Sequence, residues 1–237
     1  MKSLKMALVA LAMVALAVSA MAIQNQVIWV TDGGGGISLT PVTSTSGVVT
    51  YTGNDSYWTV VVSTGTAYPP ATGQGTLGSP VMDLTVAATS SGISGASSHP
   101  LSITFGADGY GPTSGTFASW MTGHLVSGTA NSVLFNTYDT VSPIAPPGST
   151  PPAGTLLTTS GAMSGPLYNS GTIVSSTVAL AAPYGLEEYV DIQAAAGSPT
   201  TYSLDGSLLA QVPDGGATVM LLGVALAGLG LIERRLA

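Results

Sequence analysis

Cysteine is absent from all 237 residues. No disulfide can therefore close a loop, and no thiolate is available as a nucleophile or metal ligand. Cationic residues are confined to the ends: the four are Lys2, Lys5, Arg234 and Arg235. Between residues 23 and 212 there is no lysine or arginine, while nine carboxylates stand there: Asp32, Asp55, Asp83, Asp108, Asp139, Glu187, Glu188, Asp191 and Asp205. That stretch carries a formal charge of −9, against −7 for the whole chain. Phosphate neutralisation needs cations, so nucleic-acid binding is excluded. Charge of either sign is scarce, at 6% of residues against about 25% in ordinary globular chains. Solubility then falls to Ser, Thr, Gly and Asn.

Catalytic and ligand-binding signatures are missing as well. His99 and His124 are the only histidines, too few for a zinc site of three or four ligands without cysteine; both are expected in loops. The run Asp32-Gly33-Gly34-Gly35-Gly36 has no lysine and no following helix to make a phosphate cradle, and reads as a loop. Gly106-Ala107-Asp108-Gly109-Tyr110-Gly111 reads as a turn between strands, because no βαβ unit surrounds it. No G-x-S-x-G elbow occurs. Glu187 and Glu188 are adjacent, so on a strand they face opposite sides rather than each other across a sugar. The acidic loops around Asp32, Asp55 and Asp108 offer oxygen to calcium, but no EF-hand or nonapeptide repeat organises them. No catalytic, cofactor or metal residue is therefore assigned, and a non-enzymatic protein is expected.

What is present is clearest at the two ends. Lys2 and Lys5 form a basic start, Met6 to Val18 an apolar core, and Ala20-Met21-Ala22 a small-x-small site. This is the order of a secretory signal peptide, residues 1–22, cleaved after Ala22. At the other end, Val212-Pro213-Asp214-Gly215-Gly216 precedes an uncharged apolar run, residues 217–232, and then Arg234-Arg235. Those 16 residues make about 24 Å of helix, short of the roughly 30 Å hydrocarbon core. Such a helix spans if the bilayer thins locally and the arginines snorkel. The paired arginines stop the segment with its end in the cytoplasm.

The tail resembles the PEP-CTERM sorting signals, and among them the VPDSG-type variant, which also goes by the name of an ice-binding protein C-terminal domain. Gly215 stands where that variant usually has serine, and Glu233 interrupts the basic cluster. The resemblance implies export, a transient inner-membrane anchor over 212–237, and an exosortase-type enzyme as partner. It also implies an exopolysaccharide-producing bacterial envelope as destination. Many proteins with this tail also share a strand pattern that is similar to Trp58–Val62, Pro80–Val86, Leu101–Phe105 followed by Ala107–Tyr110, Val133–Asp139 and Pro183–Leu186. That likeness implies no activity. The threonines follow no fixed period, so the alternative name is not read as ice binding.

Between the ends lie strands. Trp58, Val60 and Val62 alternate with Thr59, Val61 and Ser63, and Met82, Leu84 and Val86, Leu101, Ile103 and Phe105, and Val190 and Ile192 alternate with polar neighbours. These period-2 runs are bounded by Gly, Pro, Ser and Asn, and no internal stretch keeps a 3.6 period. The expectation is an all-β chain: one antiparallel β-sandwich of jelly-roll type over residues 23–211. The proline-rich run Ser142 to Gly154 is expected as a loop within it, because the 58 residues beyond, with some three strands, are too few to fold alone without disulfides. Ser203 to Gln211 is left as either a stalk or a last strand. The functional expectation is an exported surface or exopolysaccharide-matrix protein. The alternative is a carbohydrate-binding module, using Tyr51, Tyr57, Trp58, Trp120 or Tyr184, with or without calcium.

Overall fold

The computed structural model describes residues 26–33, 42–44, 47–68, 80–92, 99–128, 130–141, 154–181, 183–195 and 197–211. Residues 1–22, where a signal peptide is expected, the proline-rich run up to residue 153, and the tail from Val212 onward lie outside the described residues. Among the described residues every regular element is a strand. In chain order these are β1 (Gln26–Thr31), β2 (Val42–Ser44), β3 (Val48–Asn54), β4 (Trp58–Tyr68), β5 (Val81–Ser90), β6 (Leu101–Tyr110) and β7 (Thr113–Ser127). They continue with β8 (Ala130–Val141), β9 (Thr155–Met163), β10 (Leu167–Asn169), β11 (Ile173–Val174), β12 (Val178–Leu180), β13 (Tyr184–Ala194) and β14 (Thr200–Gln211).

All pairings are antiparallel and make two sheets, a six-stranded one in the order β2-β1-β6-β13-β8-β9 and a larger one in the order β10-β7-β14-β5-β4-β3. β11 and β12 also pair with β7, so three short pieces run along that edge. The long strands β5, β6, β7 and β8 alternate between the sheets, and the last two return to fill them. β13 inserts between β6 and β8, and β14 between β5 and β7.

The two sheets bury one continuous apolar core that draws on both. Alternation decides which residues enter it: on β5, Met82, Leu84, Val86 and Ala88 face inward, and on β6, Leu101, Ile103 and Phe105 do. All three phenylalanines, Phe105, Phe117 and Phe135, are fully buried, each stabilising the fold by about 1.5–3 kcal/mol. Two of them press against glycines of the opposite sheet. A Cβ on Gly65 of β4 would collide with the Phe105 ring, and one on Gly206 of β14 would stand 2.9 Å from the Phe135 ring.

Several expectations change at this level. Ala107–Tyr110 is not a turn but the end of β6, and the chain turns at Gly111-Pro112. Tyr184 pairs with Tyr110 and Gly185 with Asp108, leaving Gly109 as the extra residue of a bulge at φ +87°. A glycine there supplies positive φ without ending the strand. Ser203–Gln211 belongs to β14, a central strand. Among the described residues six strands, not three, follow the proline-rich run.

Ladder irregularities along β7 and β8 are closed by serines. Ser160 Oγ accepts the Phe135 N–H at 2.9 Å, Ser170 Oγ the Met121 N–H at 2.8 Å, and Ser175 Oγ the Phe117 N–H at 2.9 Å. Each hydroxyl also donates to the carbonyl of the next residue at 2.7 Å. Backbone donors that the bulged edge would leave unpaired are thereby satisfied.

Candidate functional sites

Four polar constellations emerge, and the fourth of them is the most open to solvent. The first gathers residues far apart in sequence at one end of the sandwich: Asp32 after β1, Asp55 in the β3–β4 turn and His99 before β6. Asp55 Oδ1 accepts the N–H groups of Tyr57 at 2.7 Å and Trp58 at 2.6 Å, which shapes the turn. His99 stacks on Tyr57 with ring centroids 3.8 Å apart, and its carbonyl accepts Trp58 Nε1–H at 2.7 Å. His99 Nδ1 lies 3.6 Å from Asp32 Oδ2. Burial pushes the Asp55 carboxyl upward, and the nearby Asp32 carboxyl adds to the push against the hydrogen bonds from Trp58 and Tyr57. The cluster ties three loops together. Among the described residues no group of three or more His, Asp or Glu side chains is placed to hold a metal ion.

The second and third are the adjacent glutamates of β13. Glu188 shares the inward face of β13 with Leu186, Val190 and Ile192 and is wholly buried, both its carboxyl oxygens lacking a hydrogen-bond partner. Burial drives its carboxyl well above the usual range, and Asp83 and Asp205, on the far side of the opposite sheet, push the same way. Glu187 points to the other side, where the outer face of the six-stranded sheet carries Val27, Trp29, Tyr138 and Tyr189, all buried. Burial raises the Glu187 carboxyl to about 7. In the next row, Tyr189 Oη and Ser102 Oγ both donate to Asp191 Oδ2 at 3.1 Å. The two glutamates lie on opposite sides of one sheet, so they do not make a facing carboxylate pair.

The fourth constellation is the outer face of the larger sheet. On β7 the core takes Phe117 and Met121, so Trp120, Thr122 and His124 point outward. Register aligns His124 with Ser203 of β14 and Ala87 of β5, and Thr122 with Asp205 and Thr85. One row on, Trp120 aligns with Ser207 and Asp83. Thr85 Oγ1 donates to Asp205 Oδ1 at 3.0 Å, Thr89 and Thr201 bond hydroxyl to hydroxyl at 3.0 Å, and Thr116 Oγ1 donates to Gln211 Oε1 at 3.3 Å. A shallow depression of about 320 Å³ is lined by Thr122, His124, Leu167, Ser203 and Asp205. Leu167 is 74% exposed at its rim.

These placements sort the aromatic candidates. Trp58 and Tyr184 are buried, Tyr184 with its hydroxyl 2.6 Å from Thr113 Oγ1, and neither is free to stack on a ligand. Tyr51, Tyr57 and Trp120 remain partly exposed. His99 is in a bend as expected, whereas His124 is on a strand, because the period-2 run of β7 carries it to the outer face. Nothing in the sequence groups Asp83, Leu167, Ser203 and Asp205. The parity of β14 against β5 and β7 is what joins them, and only pairing reveals it.

The expected sorting residues Val212, Pro213, Asp214, Gly215 and Gly216, the expected stop residues Arg234 and Arg235, and the expected cleavage residues Ala20 and Ala22 all lie outside the described residues. The tail is nonetheless defined by comparison: the VPDSG-CTERM motif is found at residues 211–236, consistent with a PEP-CTERM-type sorting domain. No curated protein matches the chain. The motif implies an exosortase-type processing partner, and it fits export with a transient membrane-anchored state. It begins on the residue that ends β14, Gln211.

Proposed function

We propose that this chain is an exported, non-enzymatic envelope protein whose working part is the β domain from Ile23 to Gln211. In this reading a Sec signal is cleaved after Ala22, and residues 217–232 cross the inner membrane and stop at Arg234-Arg235. An exosortase-type enzyme then removes the tail at Val212–Gly216. The product resides at the cell surface or in an exopolysaccharide matrix. The observation that carries the reading is the VPDSG-CTERM match at residues 211–236, which begins at the final residue of β14, the last strand among the described residues.

The interleaved strand order supports the jelly-roll label. Eight strands fall into the two four-stranded sets β5-β14-β7-β10 and β6-β13-β8-β9, with β13 and β14 closing two Greek keys. β3 and β4 extend one set and β1 and β2 the other. The lack of cations between residues 23 and 212 supports a life outside the cytoplasm among neutral or counter-ion-rich neighbours.

Intact-mass spectrometry of envelope and medium fractions tests the maturation. The expected species starts at Ile23 and lacks Arg234, and denatured material resists trypsin because no lysine or arginine remains. An extracellular form that retains Arg234 would overturn the cleavage step.

A further inference from the structure

The two broad outer faces of the sandwich differ. That of the six-stranded sheet carries the buried aromatics Trp29, Tyr138 and Tyr189, whereas that of the larger sheet presents exposed or half-exposed Thr85, Thr89, Thr122, Thr201, Ser203 and Asp205. We propose that the outer face of the larger sheet, centred on the depression between Asp205, His124 and Leu167, docks an uncharged polysaccharide strand. The proposal rests on the exported-envelope reading for where that polysaccharide is met, but the site itself is argued from its own chemistry.

Charge selects the occupant. The face carries Asp83 and Asp205, and the chain offers no lysine or arginine between residues 23 and 212, so uronate, sulfate and phosphate polymers are repelled. A polyhydroxylated neutral chain meets what is there. Its hydroxyls donate to the carboxylates and exchange hydrogen bonds with Thr122, Ser203 and His124. Thr85 already holds Asp205 through Oδ1, which orients the carboxylate and leaves its other oxygen for a ligand hydroxyl. The cross-strand pair Thr89–Thr201 fixes further hydroxyls in place, so less side-chain entropy is lost when a ligand arrives.

Apolar surface is supplied where a sugar ring needs it. Leu167 at the rim and Trp120 on the strand that carries Thr122 and His124 present surface to the C–H faces of pyranose rings. The depression, about 320 Å³, lies at the small end of ligand sites, which run about 300–1,000 Å³. That is the scale of a sugar ring or two, and the rows of hydroxyls beside it, Thr85, Thr89 and Thr201, continue the surface along a chain.

Affinity electrophoresis tests the proposal, using the full-length chain in mild detergent and its matured form. The gels contain dextran, hydroxyethylcellulose, galactomannan or a soluble β-1,3-glucan, with alginate as the anionic comparison. At least one neutral polymer is expected to retard the protein and alginate is not. Asp205→Ala and Trp120→Ala should each weaken retardation at least tenfold, Asp205→Asn less, and Leu156→Ala, on the exposed edge of the other sheet, not at all. Thermal melts of these surface variants should match the parent, so a loss reports the face rather than the fold. Retardation by no neutral polymer, equal retardation by alginate, unchanged binding in the Asp205 and Trp120 variants, or turnover of the polymer would each overturn it. Matured protein that fails to bind leaves the export reading standing while the site falls. Binding by a chain that keeps its tail in the cell does the reverse.

Discussion

At the scale of single residues, the buried carboxyls shape the pH response. Glu187 is raised to about 7 and Glu188 well above the ordinary range, in both cases chiefly by burial. The unfolded chain would release these protons near pH 4.5 while the folded chain retains them. The folded state therefore binds more protons in that window, and stability falls as pH rises through it. For Glu187 the loss is complete above about pH 7 and amounts to about 3 kcal/mol, at about 1.4 kcal/mol per unit. Glu187→Gln should flatten the stability profile between pH 4.5 and 7 and raise the midpoint at pH 8, read by calorimetry. Glu188→Gln should stabilise at neutral pH too, since no counter-charge is lost; a lower midpoint than the parent at pH 8 would contradict this account. Gly65 marks the opposite case. Gly65→Ala drives a methyl into the Phe105 ring and should destabilise by about 1–3 kcal/mol, measurable by urea denaturation.

At the scale of elements, the short strands along β7 depend on serine hydroxyls more than on strand propensity. Ser170→Ala leaves the Met121 N–H unpaired and Ser175→Ala does the same to Phe117. Each should cost about 1–3 kcal/mol and should speed hydrogen exchange at those two amides while leaving distant ones unchanged. This level is also where sequence reading was most uneven. The strands around Met82–Val86 and Leu101–Phe105 were legible because apolar and polar positions alternate against a two-sided environment. The end of β6 was not: Asp108-Gly109 has the composition of a turn, and only pairing with β13 across a bulge keeps it extended. Glu188 on the core face of β13 also hid the inward parity of that strand, since a carboxylate is an expected surface marker.

At the scale of the whole molecule, Asp55, Glu187, Glu188 and Asp191 are all pushed upward, with burial the leading cause in each. The chain should therefore melt at a higher temperature at pH 4.5 than at pH 8.5, the reverse of the usual acid denaturation, and calorimetry across that range reads it directly. The topology adds a kinetic expectation. β14 pairs with β5 across more than a hundred residues, as in Leu204 with Val86, so folding should be slow, in the millisecond-to-second range of β-sandwiches. Truncation before Thr200 should abolish the fold, because it removes the strand between β5 and β7.

The sequence by itself determined the sorting tail and the all-β class of this protein. The charge at its two ends, the VPDSG-like tail, the absence of cysteine and the period-2 runs are local features, and local features survive without a fold. Tertiary structure alone decided which residues meet. Asp32, Asp55 and His99 converge through three loops, and Asp205 joins His124, Thr122 and Leu167 through strand register. A sheet face is assembled from strands distant in sequence, so its chemistry is invisible until the pairing is known.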